Sequence, residues 1–282
     1  MFIILMFIIV VISEIIISNT IVGVTEYKIE DLKVSPSFNN FRIVQISDLH
    51  SKEFGTRNKI LIHKIKKVFP DIIVLTGDMV NTKDKDFNIF YNFINQLVDI
   101  APIYFVVGNH EQNLDEAKLK EIIDYLHSKG IIVLDNQKEK INRNGEFINI
   151  YGLWYNLRYY RDLKNEYSKD IYFGIDKIEK ILGKADKAQF NLLLTHNPVY
   201  FETYAFWGAD LTLCGHLHGG MIRIPFYGGL FSPEKVFFPK YDAGLFKIDN
   251  HYMIVNRGLG NGDLGFRFLN NPEIGLIILK NK

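Results

Sequence analysis

The sequence predicts an α/β domain built from repeated strand–loop–helix units and preceded by an apolar N-terminal segment. Two observations carry that prediction. From residue 41 onward, short apolar runs rich in β-formers alternate with amphipathic stretches at helical spacing. The apolar runs also end in short polar clusters. In order these are Asp48-Leu49-His50, Gly77-Asp78, Gly108-Asn109-His110-Glu111, Thr195-His196, Gly215-His216-Leu217-His218 and Arg257-Gly258-Leu259-Gly260. Strands of a layered α/β domain deliver their C-terminal ends to a shared edge where ligands bind. Residues as distant as Asp48 and His218 can therefore converge.

Taken in order, residues 1–24 form an apolar segment interrupted by Ser13 and Glu14. Crossing a bilayer takes about 20 apolar residues, so a spanning helix must carry Glu14 at about 3 kcal/mol. The neighbouring Ile, Leu, Val and Phe side chains can offset that cost. A cleaved signal is the rival, although no basic n-region or Ala-x-Ala site is present. The expectation is a single-pass anchor in the cell membrane. Lys28 and Lys33 follow the segment and weakly favour a cytoplasmic catalytic part, leaving the orientation open. Residues 25–40 read as a connecting segment, and 41–282 as one domain without a Pro/Ser linker or internal repeat.

Within that domain, residues 41–46 read as a strand and 59–69 as a helix with Ile60, Leu61, Ile65 and Val68 on one face, stopped by Pro70. Residues 71–75 read as a buried strand, 87–98 as a helix, 103–107 as a strand, 114–128 as a helix stopped near Gly130, and 131–134 as a short strand. Further strands are expected over 147–151, 190–194, 211–214, 244–248, 252–255 and 274–279. The aromatic and charged stretch 154–169 has no evident place in this order.

Composition narrows the function classes. The chain of 282 residues is 48% hydrophobic and 23% charged, as in a folded protein. Its net charge is +1 and its lysines are scattered, so no nucleic-acid polymer is expected as a partner. The single cysteine, Cys214, sits in an apolar run and reads as a buried structural thiol.

The first five clusters supply two Asp, one Asn and five His. Carboxylate, amide oxygen and imidazole together are donors for hard or borderline divalent metals. Asp48 and His50 alternate at one strand end, Asp78 can bridge two ions, and Asn109 offers a neutral oxygen. His196 and His216 suit a second metal, while His218 can return to the first. Two metals about 3.5–4 Å apart would clamp a water, lower its pKa and stabilise in-line displacement at phosphorus. That leaves His110 to protonate a leaving group or pair with phosphoryl oxygens.

This series resembles the calcineurin-like metallophosphoesterase superfamily over nearly all of residues 41–282. The runs 42–50, 219–225 and 238–241, with Arg257-Gly258-Leu259-Gly260, Arg267-Phe268 and Pro272-Glu273-Ile274, look like its bacterial membrane-associated branch of YkuE/YaeI-type phosphodiesterases. The resemblance implies a four-layer αββα sandwich, two facing mixed sheets flanked by helices, with metals at one sheet edge. It assigns Asp48, His50, Asp78 and His218 to one metal, and Asp78, Asn109, His196 and His216 to the other. His110 falls at the catalytic position. It further implies hydrolysis of a phosphodiester or pyrophosphate bond by a metal-bridging hydroxide, on a phosphoester substrate that could be lipid-linked or a nucleotide-sugar. The donor set suits Mn, Fe or Zn. Many relatives carry an Asp where this chain has Asn81.

Other residues have plainer readings. His63, His127 and His251 read as surface or core histidines, and Glu111 as a residue behind the ligands rather than among them. Arg223 and Arg257 are candidate substrate-binding residues that could equally form surface ion pairs. The aromatic stretches 154–160 and 226–238 read either as core cover or as an apolar lip beside the site. A phosphomonoesterase and a membrane-tethered module without catalysis are the competing functions.

Overall fold

The computed structural model describes residues 2–160, 172–262 and 265–282. The chain opens with α1 (Phe2–Thr20), a helix long and apolar enough to cross a membrane. Residues 2–10 are exposed, whereas Val11, Glu14, Ile15, Ser18 and Asn19 form a less exposed stripe at helical spacing.

Residues 25–40 depart from the expected connecting segment. Gly23–Asp31 is a strand, β1, running parallel to the last strand of the chain, β14 (Glu273–Asn281). Glu26, Lys28 and Glu30 alternate with Tyr27 and Ile29, and of these Ile29 is fully buried. An edge strand with a solvated, charged face carries little apolar signal, which is why it escapes a reading based on apolar runs.

The chain then continues through β2 (Arg42–Ile46), α2 (Lys59–Lys67), β3 (Ile72–Leu75), α3 (Asn88–Leu97), β4 (Ile103–Phe105), α4 (Asn109–Gln112), α5 (Glu116–Ser128) and β5 (Ile132–Val133). These strands lie parallel, and the sheet order is β1-β14-β2-β3-β4-β5 with β14 antiparallel to β2. Apart from α4, a single turn not anticipated from the sequence, expected and observed elements agree here within a few residues at each end. Asp115 caps α5 by accepting from the Lys118 N–H at 2.9 Å.

A second sheet follows from β6 (Lys138–Arg143), β7 (Glu146–Leu153), β8 (Asn191–Thr195) and β9 (Leu211–Cys214). A small hairpin, β10 (Arg223–Ile224) and β11 (Gly228–Gly229), precedes β12 (Gly244–Ile248) and β13 (His251–Val255). The order is β12-β13-β9-β8-β7-β6, with β7, β8, β9 and β13 parallel. Two helices not anticipated from the sequence, α6 (Ile175–Leu182) and α7 (Phe201–Trp207), cover its outer face.

Strand alternation sorts the core into layers. Val44, Ile46, Ile73 and Leu75 pack with Leu61, Ile65, Phe90, Ile94 and Leu126 of α2, α3 and α5. Ile43, Ile72 and Val74 point the other way and meet Ile150, Leu192, Leu194 and Leu213 of the second sheet. Tyr151 and Leu193 pack against Ile178, Tyr204 and Trp207 of α6 and α7. The result is the four-layer αββα sandwich. Cys214 is free and buried between these elements, and burial raises its thiol pKa well above the usual value. In the stretch 154–169, Tyr155 and Tyr159 are buried against α6 and α7, while residues 161–169 lie outside the described residues.

Candidate metal centre

The parallel strands place their polar ends along one edge spanning both sheets. β2 leads to Asp48 and His50, β3 to Asp78, and β4 to Asn109 at the start of α4. From the second sheet, β8 leads to His196, and β9 to His216 and His218. Asp48, His50, Asp78, His216 and His218 all have left-handed φ, between 49° and 70°. Each such non-glycine residue costs about 1–3 kcal/mol, a cost usually carried at functional sites. Space is equally tight: a Cβ on Gly108 would lie 2.2 Å from Asp78 Oδ1, and one on Gly215 2.2 Å from Asp48 Oδ2.

Three overlapping groups are close enough to share a cation: Asp48, His50 and His218; Asp78, His196 and His216; and His50, Asp78 and His110. His218 Nε2 stands 3.4 Å from Asp48 Oδ1 and 3.1 Å from His50 Nε2. His196 Nε2 lies 3.1 Å from Asp78 Oδ2, and His50 Nε2 3.8 Å from that same oxygen. Asp78 therefore faces both groups. Its other oxygen accepts from the His110 backbone N–H at 2.8 Å, and Asp48 accepts from the His216 N–H at 3.1 Å.

The residues fit divalent-cation binding. Asn109 Oδ1 is buried without a hydrogen-bond partner among the described residues, and His196 Nε2 has only the Asp78 carboxylate, 3.1 Å away. An orphaned polar atom is costly unless something absent from the polypeptide satisfies it. The far side of three rings is already held. His196 Nδ1 donates to the Thr76 carbonyl at 2.7 Å, and His50 Nδ1 meets Asn81 Oδ1 at 2.9 Å. His216 Nε2 meets Glu234 Oε1 at 3.2 Å. A proton fixed on one ring nitrogen leaves the other as a lone pair aimed at the site, the usual arrangement behind a metal-binding histidine.

Comparison with known proteins agrees with this geometry. The model of the calcineurin-like phosphoesterase family matches residues 41–220, more than half of the chain. The chain belongs to this family. It is 29% identical to the metallophosphoesterase YkuE of Bacillus subtilis over 270 residues, covering 91% of this chain and 85% of the relative. It is 30% identical to the phosphodiesterase YaeI of Escherichia coli over 246 residues, covering 85% and 82%. A metallophosphoesterase of Aquifex aeolicus is 27% identical, with 92% of each chain covered.

Burial and charge divide the imidazoles of this metallophosphoesterase. Burial drives the pKa of His50 down, against the neighbouring Asp78 and Asp48. Burial, with the charges of His50 and Arg267, holds that of His218 well below the usual value. Burial opposes charge on His196 too, but Asp78 and Asp48 win and raise its pKa to about 10. The Asp78 carboxyl, despite burial, is held far below the usual carboxylate range by His196 and His50.

Glu111 stands behind the candidate donors, as expected, and several other residues matter that sequence reasoning passed over. Glu111 is buried and its carboxylate accepts from the N–H groups of Asp78, Met79 and Gly108 at 2.7–2.8 Å, tying the β3 and β4 loops together. Asn81, where many relatives carry an Asp, also donates to the His50 carbonyl at 2.9 Å and so fixes that residue twice. Glu234 comes from the aromatic stretch 226–238, where nothing local marks it. Thr82 donates its N–H to His110 Nδ1 at 3.3 Å. Arg223 and Arg257 are not among the groups that converge on Asp78. Arg223 pairs with Asp242 at 2.9 Å and Arg257 with Glu273 at 3.1 Å, and both line a separate cleft.

Proposed function

We propose that this metallophosphoesterase hydrolyses a phosphodiester or pyrophosphate bond at a dinuclear centre, held at a membrane by α1. The observation that carries this reading is the position of Asp78 between two donor groups, with Asn109 Oδ1 left buried and without a partner among the described residues. Asp48, His50, Asp78 and His218 would hold one divalent ion. Asp78, Asn109, His196 and His216 would hold the other, with Mn, Fe or Zn suiting the donors. When bound, such ions activate a water and neutralise charge developing on the phosphoryl oxygens.

The remaining chemistry falls to His110. Its Nδ1 accepts from the Thr82 N–H, which leaves Nε2 carrying the ring proton and able to donate a hydrogen bond to a phosphoryl or leaving oxygen. The name of the Escherichia coli relative supports a diester over a monoester. A cleft of about 610 Å³ adjoins α4, its wall mixing Val107, Leu119, Ile123 and Trp154 with polar groups such as Gln112 and Asp135, and its apolar part supports a substrate with a lipid-like portion. Arg223 and Arg257 remain candidates for substrate phosphate only if their carboxylate partners release them.

The full chain in detergent is expected to turn over bis(p-nitrophenyl) phosphate with added manganese and to stop on chelation. His110→Ala should lower kcat by about 10²–10⁴-fold while metal content stays at the wild-type level. The reading is wrong if the protein is inert with Mn, Fe and Zn and Asp78→Ala binds these ions as well as wild type. Faster turnover of p-nitrophenyl phosphate would reassign it as a phosphomonoesterase.

A further inference from the structure

The apolar helix is not merely tethered to the domain. Ser18, fully buried, donates to Glu14 Oε1 at 2.7 Å and accepts from the Asn270 N–H at 3.3 Å. Asn19 pairs in both directions with the backbone of Arg267: its Nδ2 donates to the carbonyl at 3.0 Å, and its Oδ1 accepts from the N–H at 3.1 Å. The last turn of α1 thus grips residues 267–270 through hydrogen bonds of fixed direction.

The side chains of the two residues whose backbone is held in this way reach the metal centre. Asn270 Nδ2 donates to the His218 carbonyl at 2.7 Å and to the Met221 carbonyl at 3.1 Å. A Cβ on Gly219 would lie 2.6 Å from Asn270 Oδ1, so the loop after His218 closes tightly around this amide. Arg267, fully buried, donates to the carbonyls of Gly260 and Arg257 at 2.8 Å each, and its Nη2 lies 3.3 Å from His218 Nδ1.

We propose that Ser18 and Asn19 are positioning residues for the metal centre: they hold Arg267 and Asn270, which hold His218 and its loop. The inference rests on the two-metal reading above and adds that the apolar helix and one metal site form a single mechanical unit. Ligand-supporting residues of this kind typically change metal affinity by about 10–100-fold when removed.

The test is manganese affinity of the full chain in detergent micelles, read from the EPR signal of free Mn²⁺, with the melting temperature of the metal-free protein alongside. Ser18→Ala/Asn19→Ala should weaken the tighter or the weaker of the two sites about tenfold and leave the other near wild type. Ser18→Thr, which keeps the hydroxyl, should retain affinity. Phe7→Ala, on the exposed apolar part of α1, should bind as wild type. Affinity within twofold of wild type in the double variant overturns the proposal, as does an equal loss in Phe7→Ala. Should the double variant fail to fold, Asn19→Ala alone is judged by the same readout. A wild-type protein that binds no manganese, iron or zinc sinks the two-metal reading instead.

Discussion

His196 is where burial and charge oppose each other most strongly. Without metal its folded pKa, about 10, lies above the unfolded value of about 6.5. A group raised in this way contributes stability that is complete below pH about 6.5 and disappears as pH climbs through about 10. His50 and His218, shifted downward, act with the opposite sign: they cost stability as pH falls through about 6.5 and below. Chelator-treated protein should therefore melt at progressively lower temperature between pH 7 and 10. His196→Gln should flatten that alkaline decline, as measured by circular dichroism melts across the same window. An equally steep decline in the variant would refute the role given to His196. At this scale the seven proposed donor positions were legible because each follows an apolar run. Their supports were not. Arg267 lies 49 residues from His218 and Glu234 18 residues from His216, and no local pattern links either pair before the strands bring them together.

Elements explain how polar ends become a site. The turn after β9 is so close to that after β2 that a methyl on Gly215 would meet Asp48 Oδ2 at 2.2 Å and the Ser47 hydroxyl more closely still. Neither atom sits on a long flexible chain, so a Gly215→Ala protein must separate the two strand ends. The expected outcome is a loss of about 1–3 kcal/mol, as for overpacking elsewhere, together with weakened manganese binding. Urea denaturation and metal titration of the variant check both, and unchanged values would show that the two turns are not rigidly apposed. Glycine at this position was visible in the sequence beside His216, but the contact that requires it was not. The elements that escaped the sequence share one property. β1 alternates charged with apolar residues along a sheet edge, and α7 is a seven-residue helix carrying Tyr204 and Trp207 inward. Short or half-solvated segments hold too few apolar positions to show a period. By contrast, β2, β3 and β8 are buried on both faces and read as continuous apolar runs.

For the whole molecule, the decisive fact is that the site straddles two sheets. Asp48 and Asp78 come from the first, while His196, His216 and His218 come from the second. Cations held between them would cross-link the layers from outside the apolar core, at an edge carrying buried carboxylates and five strained backbone positions. Metal binding is then also folding energy. A single site at free metal 100-fold above its Kd adds about 2.7 kcal/mol. For a domain of this size each kcal/mol moves the melting temperature by about 2–4 °C. Calorimetry with manganese should therefore give a midpoint about 5–10 °C per site above that in chelator. Asp78→Asn, which removes the charge facing both groups, should lose most of that shift. Arg223→Ala should keep it, because Arg223 is paired with Asp242 in a different cleft. A midpoint insensitive to manganese in the wild-type protein would mean that the two sheet edges are already satisfied without cations, and the orphaned oxygen of Asn109 would need another explanation.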